Sequence, residues 1–299
     1  MNRIVLSVVI VNWNTRAYLT DALQSIYDHP PSCPFEVIVV DNASSDGSAD
    51  AVAAAFPQVE LVRSPDNQGY AKGNNVGIAR STGEYVLLLN PDVIVPDGSL
   101  DRGVAYLMAH PDVGAIGARQ IGPDGSVQRS VRGFPTPAGV AAEALGLSRA
   151  CPRSRVLAGY RMAWFTYDLE CDVDQPMGTF LMIRREALER VGLMDERFPI
   201  FFNEVDWCFR AKQCGYRIVF VPDVTIVHYG GGSTRLVAPQ MAWESRRGLL
   251  AYYRKHYPSA RYWPVYALAV VTSWIYAFLI SLWRRWGTRA SRRKAGDKA

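Results

Sequence analysis

Tyr85-Val86-Leu87-Leu88-Leu89-Asn90-Pro91-Asp92 is the stretch that decides the fold: an apolar run of strand length that stops at a short acidic turn. Such a run predicts a strand buried on both faces, and the residues after it are then delivered to the carboxyl edge of a sheet, where open α/β folds bind ligands. Asp92 is on those grounds a candidate for a metal and phosphate site. An Asn-Pro-Asp sequence is also ordinary turn chemistry, so the neighbouring segments must decide. Toward the N-terminus, Ser7 to Val11 reads as a β-branched strand, Phe35 to Val40 as a second that ends at Asp41, and Val59 to Arg63 as a third. Between them lie helical stretches at Ala17 to Tyr27, from an N-cap at Ser48 through Ala55, and at Ala71 to Arg80. Strand and helix alternate throughout this half of the chain. That order predicts an α/β fold with a Rossmann-like, mostly parallel, doubly wound sheet.

Toward the C-terminus the pattern loosens. A helix is expected at Leu100 to Ala109 and a strand at Val113 to Ala118, while Gly133 to Tyr167 carries several Pro and Gly and reads as a loop or insertion. Regularity returns with a strand at Gly178 to Arg184 and a helix at Val205 to Cys214. Two strands, Arg217 to Val221 and Val224 to His228, are expected to close the sheet. We divide the chain into residues 1–235, the α/β domain, and 236–299, a helical region.

With 299 residues, 49% hydrophobic and 20% charged, the chain fits a globular enzyme rather than a disordered one. The formal charge of +5 is unevenly placed: Arg284, Arg285, Arg289, Arg292, Arg293, Lys294 and Lys298 face only Asp297, so the basicity belongs to the tail. No nucleic-acid partner is expected. Five scattered cysteines without a Cys-x-x-Cys pair suggest neither a disulfide framework nor a zinc site, and fit a reducing cytoplasm. The run Ile4 to Val11 is too short for a signal peptide with its cleavage site.

Residues 263–283 carry no formal charge. As a helix they would measure ~31 Å, close to the roughly 30 Å of a bilayer core. A single span would place the basic tail opposite the α/β domain, against the positive-inside tendency if that domain is cytoplasmic. Trp263, Tyr266, Trp274, Tyr276 and Trp283, with the flanking arginines, suit a helix lying among headgroups. The expectation is an interfacial or shallowly inserted membrane-associated segment, with a span second and a buried core helix third.

Several segments share the order and spacing of a known family: Ser7-Val8-Val9-Ile10-Val11-Asn12-Trp13-Asn14, Asp41-Asn42-Ala43-Ser44-Ser45-Asp46-Gly47-Ser48, Asn67 to Gly77, and Asn90-Pro91-Asp92. They resemble the family 2 inverting glycosyltransferases of the GT-A fold. Met177 to Arg185, Phe201 to Cys208 and His228-Tyr229-Gly230-Gly231-Gly232-Ser233 look like the rhamnosyltransferase-type branch. The resemblance covers about residues 5–235; each motif is weak alone, and the ordered set is specific.

The resemblance implies a nucleotide-sugar donor, with Val11, Asn12, Asp41, Asn67, Lys72, Asn74, Asn90 and Gly178 at its site. Asp41 resembles the acceptor for a pyrimidine imide N–H, although an Asx-turn is the local alternative. Lys72 and Asn74, on a Gly-flanked entry to a helix, suit a diphosphate, because backbone N–H groups and a cation meet there. Asp92 resembles the metal-binding second acid of an Asp-x-Asp signature and His228 a histidine that completes the site, so Mg²⁺ or Mn²⁺ is the expected cofactor. Asn90 stands where many relatives have an acid, which lowers the site's charge. Glu204 aligns with the catalytic carboxylate of an acidic motif, here Asn203-Glu204-Val205-Asp206. Asp206 is the second catalytic candidate, or a donor-hydroxyl ligand or helix cap. Arg132, Trp164 and Trp207 could hold sugar or diphosphate; for Trp207 core packing is the simpler reading.

The implied reaction moves a sugar, L-rhamnose from a dTDP-sugar, to a polyprenyl-linked or glycan acceptor in cell-envelope synthesis, with 133–167 on the acceptor side. It would run at the cytoplasmic face of the cell membrane through the C-terminal helix, with a homodimer open. Three alternatives stand beside it: another UDP- or GDP-sugar transferase, a nucleotidyltransferase, and a non-catalytic membrane-associated binding module. The second would need a Gly-rich phosphate loop after the first strand, and Ile10-Val11-Asn12-Trp13-Asn14 has none.

Overall fold

The computed structural model describes residues 3–230, 238–272 and 274–275. Eleven strands are named in chain order: β1 (Leu6–Asn12), β2 (Phe35–Asp41), β3 (Glu60–Arg63), β4 (Tyr85–Leu89), β5 (Val93–Ile94), β6 (Val113–Ile121), β7 (Val131–Arg132), β8 (Cys171–Asp172), β9 (Gln175–Pro176), β10 (Phe180–Arg184) and β11 (Arg217–His228). The helices are α1 (Arg16–Asp28), α2 (Ser48–Ala55), α3 (Tyr70–Arg80), α4 (Ser99–Ala109), α5 (Pro137–Ala144), α6 (Leu147–Ala150), α7 (Arg185–Val191), α8 (Asn203–Gln213) and α9 (Ala238–His256).

The main sheet runs β3-β2-β1-β4-β10-β6-β11-β5. Its first four strands are parallel and their side chains alternate between two cores. Val9, Val11, Ile38, Val40 and Leu88 face one core, shared with residues of α3, α8 and α9; Val8, Ile10, Val39, Leu87 and Leu89 face the other, shared with α1, α2 and α4. Because β1 and β4 are covered on both faces, they are written as nearly continuous apolar runs, whereas β3 at the edge, Glu60–Arg63, is only partly covered. A fully buried Val or Leu contributes roughly 1.5–3 kcal/mol, so β1 and β4 anchor the sheet. Helix α3 comes unusually close to β1. A Cβ at Gly73 would stand 2.7 Å from Val11 Cγ1, and one at Gly77 would stand 2.3 Å from Val9 Cγ1.

The sheet departs from a purely parallel one at β10, which runs antiparallel to both β4 and β6. Hydrophobic runs specify burial, not direction, so this reversal had no sequence signal. It brings the start of β10 beside the end of β4: Phe180 pairs with Leu89, and the Asn90 amide donates to the Thr179 carbonyl at 3.0 Å. The two strands expected at 217–228 are one, β11, with a register shift between Val221 and Thr225 that absorbs Pro222, Asp223 and Val224. A short strand, β5, follows Asp92 and pairs Val93 with His228.

The stretch 133–167 is not wholly irregular. Thr136 caps α5, its hydroxyl accepting from the Gly139 amide at 3.2 Å, and α6 follows. Ser48 is not the cap of α2; Gly47 holds that position in a left-handed conformation, and the Asp46 carboxylate accepts the Ser48 amide at 3.0 Å. The cysteines are free.

Helix α9, from the C-terminal region, packs into the same core as α8 through Tyr252 and Tyr253. Residues 263–272 are helical, and Trp263 and Trp274 are exposed. Among the described residues no helix is long and apolar enough to cross a membrane. Of the expected apolar segment 263–283, residues 273 and 276–283 lie outside the described residues, as does the basic tail.

Candidate functional site

The carboxyl ends of β1, β2 and β4, the start of β10, the end of β11 and the first turn of α8 meet at one edge of the sheet. On the β1–β2 side, Asn12 and Asp41 stand side by side in register. Asn12 Nδ2 donates to Asp41 Oδ1 at 2.9 Å, the Ser44 amide donates to Asp41 Oδ2 at 3.0 Å, and Thr15 Oγ1 donates to Asn12 Oδ1 at 2.6 Å. The Asp41 carboxylate is thereby fixed in orientation while each oxygen keeps further lone-pair capacity. Val11 turns its side chain under α3 against Gly73, so only its backbone is available to a ligand.

Helix α3 departs from expectation at its first turn. The carbonyl of Pro199 accepts from both Tyr70 N (2.6 Å) and Ala71 N (3.1 Å), so these amides cannot cradle a phosphate. Lys72 follows them, half-buried. Asn74 is fully buried; its Nδ2 donates to the Tyr70 carbonyl and its Oδ1 lacks a partner, as does Oδ1 of the neighbouring Asn42. Asn67 is exposed, and its side chain accepts from the Gly69 amide at 3.0 Å. It lines a cleft of about 950 Å³ that runs between residues 196–201 and α9.

Asp92 and His228 come together. His228 Nε2 lies 3.5 Å from Asp92 Oδ1, and both side chains are buried. Gln128 orients the ring: its Nε2 donates to the His228 carbonyl at 2.7 Å, which leaves Oε1 to accept from His228 Nδ1–H at 2.8 Å. In the neutral ring the lone pair then sits on Nε2, facing Asp92, as metal-ligating histidines are commonly arranged. Among the described residues no third His, Cys, Asp or Glu joins the pair to make a protein-only metal cluster. The pair therefore fits an ion that takes its other ligands from water and substrate phosphate.

Glu204 occupies the first turn of α8, with its side chain against Gly178. Burial pushes its carboxyl up to about 7, against the pull of backbone hydrogen bonds at Glu204, Val205 and Gly178. Tyr70 connects the two walls: its hydroxyl donates to the Gly178 carbonyl at 3.0 Å, and the charges of Glu204 and Asp92 both act on it. Asp206 faces the other way. Its carboxylate accepts from Arg210 Nε at 2.8 Å, pairs with His256 Nε2 at 2.8 Å, and takes a hydrogen bond from Lys255 Nζ. Although burial opposes it, these partners hold its carboxyl below the usual range. Trp207 is core, donating to the Gly192 carbonyl.

The structure thus brings Asn12, Asp41, Asn74, Asn90, Asp92, Gly178, Glu204 and His228 to one edge. It sets Asn67 on the rim and Asp206 in a buried ionic cluster. Sequence reasoning missed Tyr70, Asn42 and Gln128. The first two lie inside recognised motifs and were passed over; Gln128 lies a hundred residues before His228 and carries no local signal.

A sheet of this topology, gathering a fixed Asp–Asn pair, a buried Asp–His pair and an enclosed carboxyl acid at its ligand-binding edge, is that of a GT-A glycosyltransferase. The chain belongs to glycosyl transferase family 2, whose profile matches residues 7–192. It is 31% identical over 241 residues, 77% of this chain and 78% of the relative, to an N-acetylglucosaminyl-diphospho-decaprenol L-rhamnosyltransferase of Mycobacterium tuberculosis. It is 27% identical to the low-salt glycan biosynthesis hexosyltransferase Agl10 of Haloferax volcanii, over 75% of this chain and 66% of that one. Among solved structures, the mannosyltransferase PcManGT of Pyrobaculum calidifontis, in complex with GDP-Man and Mn²⁺, superposes with a TM-score of 0.56 at 21% identity. That match covers 90% of this chain and 72% of the other and supports the fold.

Proposed function

We propose that this glycosyltransferase transfers L-rhamnose with inversion from dTDP-L-rhamnose to a sugar on a polyprenyl diphosphate, in cell-envelope glycan synthesis. The observation that carries the reading is the pairing of an Asp92–His228 couple on one wall with the raised carboxyl of Glu204 on the other, joined through Tyr70 and Gly178. The mycobacterial relative's donor sugar and lipid-linked acceptor supply the substrate class. A divalent cation, Mg²⁺ or Mn²⁺, held by Asp92 and His228 would stabilise the negative charge that grows on the departing diphosphate. Asn12 and Asp41 hold the base, with Asn74 and Lys72 on the diphosphate side.

Glu204 takes the proton from the acceptor hydroxyl as that oxygen attacks the anomeric carbon, and the nucleoside diphosphate leaves from the opposite face. A base whose carboxyl sits near 7 is matched to that task at neutral pH. The exposed Trp263 and Trp274, together with the excess of Lys and Arg in the sequence of residues 284–299, favour peripheral attachment at the cytoplasmic membrane face, where a lipid-linked acceptor would be met.

The experiment is a donor screen with UDP-, GDP- and dTDP-sugars against polyprenyl diphospho-N-acetylglucosamine, read by nucleoside diphosphate release and product mass, with and without EDTA. Transfer from dTDP-L-rhamnose alone, lost on chelation and restored by Mg²⁺ or Mn²⁺, is the expected result. Transfer only from another donor would overturn the sugar assignment, and full activity in EDTA would overturn the metal.

A further inference from the structure

Glu204 and Asp206 share the first turn of α8, yet the groups that hold Asp206 come from α9, some fifty residues on. Lys255 Nζ reaches two carboxylates at once, Asp206 and, at 2.7 Å, Asp195. Asp195 is itself gripped by Arg197, with contacts of 2.6 to 3.1 Å. His256 is wedged between the rings of Phe209 and Tyr252, at centroid distances of 4.4 and 4.6 Å, with Nε2 on Asp206. One helical turn and more before them, Gly248 lies against Phe202 and the Phe201 carbonyl, where any Cβ would come within 2.7 Å of the Phe202 ring. Phe202 enters α8 with φ of 73°, a left-handed conformation that a bulky residue adopts only under external constraint.

The first turn of α8 is therefore held from both sides. Gly178 bounds it toward the reaction site, and α9 bounds it behind. From this arrangement we infer that Lys255 and His256 are positioning residues for the transfer reaction: by clamping Asp206 they fix the turn that aims Glu204. The inference rests on Glu204 being the base. It assigns to the end of α9 a catalytic consequence without contact to either substrate, and it makes the C-terminal region part of the working site.

Among the described residues, the charged and titratable groups in contact with Glu204 or Asp206, or coupled to them by charge, include Tyr70 from α3, Cys208 and Arg210 on α8 itself, Arg197 from the preceding loop, and Tyr252, Lys255 and His256 from α9, with Asp195 behind Lys255. Loosening the clamp hydrates Glu204, weakens the burial that raises its carboxyl, and so moves the acid limb of the rate profile to lower pH.

Three variants test the inference: Glu204→Gln, Lys255→Met with His256→Gln, and Lys255→Arg. Each is checked for folding by circular dichroism and nucleotide binding, and assayed with dTDP-L-rhamnose and polyprenyl diphospho-N-acetylglucosamine well below its melting temperature. Should the double variant not fold, Lys255→Met alone replaces it. The expected result is faster amide hydrogen exchange at residues 203–207, kcat lowered roughly tenfold or more with donor KM moved less than twofold, an acid limb displaced downward, and recovery in Lys255→Arg. A folded clamp variant with wild-type kcat, acid limb and exchange, beside an inactive Glu204→Gln, overturns the clamp alone. Wild-type turnover by Glu204→Gln overturns the base assignment and the clamp with it.

Discussion

The two walls of the first turn of α8 treat a carboxylate in opposite ways. On the wall facing β10, Glu204 meets backbone hydrogen bonds, and burial lifts its carboxyl to about 7. On the wall facing α9, Asp206 is fully enclosed among Arg210, Lys255 and His256, and its partners hold its carboxyl down. Two acids separated by one valine thus shift in opposite directions because their surroundings differ. A group kept uncompensated is available for proton transfer, whereas a group fully paired is part of the scaffold.

The sharpest way to break this contrast is Glu204→Gln. Transfer should fall on the order of 10³-fold, about 4 kcal/mol in the barrier, with nucleotide binding retained in a titration by calorimetry. Asp206→Asn strikes the other wall. It should lower unfolding stability by about 3 kcal/mol in denaturant melts, because Arg210 loses its buried counter-charge and Lys255 is left with Asp195 alone. Its stabilising interactions depend on an ionised Asp206, so the wild-type advantage over Asp206→Asn should fade as pH drops below about 4, the ordinary range of the group, and onward through its lower folded value.

Glu204 carries the opposite sign. Its carboxyl binds a proton more tightly folded than unfolded, so stability declines as pH rises from about 4.5 through about 7. Glu204→Gln should therefore be more stable than wild type at pH 8, by about 1–2 kcal/mol after allowance for partial solvent access, and equal to it below pH 4. The same titration makes wild-type kcat/KM fall with pH below about 7. The smallest effect belongs to the turn at the end of β4. Asn90→Asp should tighten Mg²⁺ or Mn²⁺ dependence only a few-fold, under about 1 kcal/mol, in activity titrations of the cation, since Asp92 and His228 are the nearest pair.

These contrasts also mark what could be read in the sequence. β1, β2 and β4 were legible with their terminal Asn12, Asp41 and Asn90, because strands buried on both faces are written as apolar runs and the next residue falls at the sheet's edge. Asp92 and His228 were paired through motif order, and the structure brings them together. The direction of β10 was not legible, since alternation and burial are the same for either sense. Nor was the fate of Asp206, whose partners lie fifty residues away on a helix that local pattern shows only as helical. That the first amides of α3 are already taken was hidden for a similar reason. Free amides at a helix start are the default, and a distant carbonyl, that of Pro199, takes them.

That carbonyl narrows what the chain can become by mutation. Gly69 stands at φ of 85°, and a Cβ there would lie 2.8 Å from the Pro199 oxygen, so any side chain both strains the backbone and pushes away the acceptor of two amides. The Asn42 side chain donates through Nδ2 to the same glycine's carbonyl. One position thus couples the donor-side helix, the loop before α8 and the strand end at Asp41. In a library of single substitutions, position 69 should tolerate glycine alone, while Gln68 beside it varies freely.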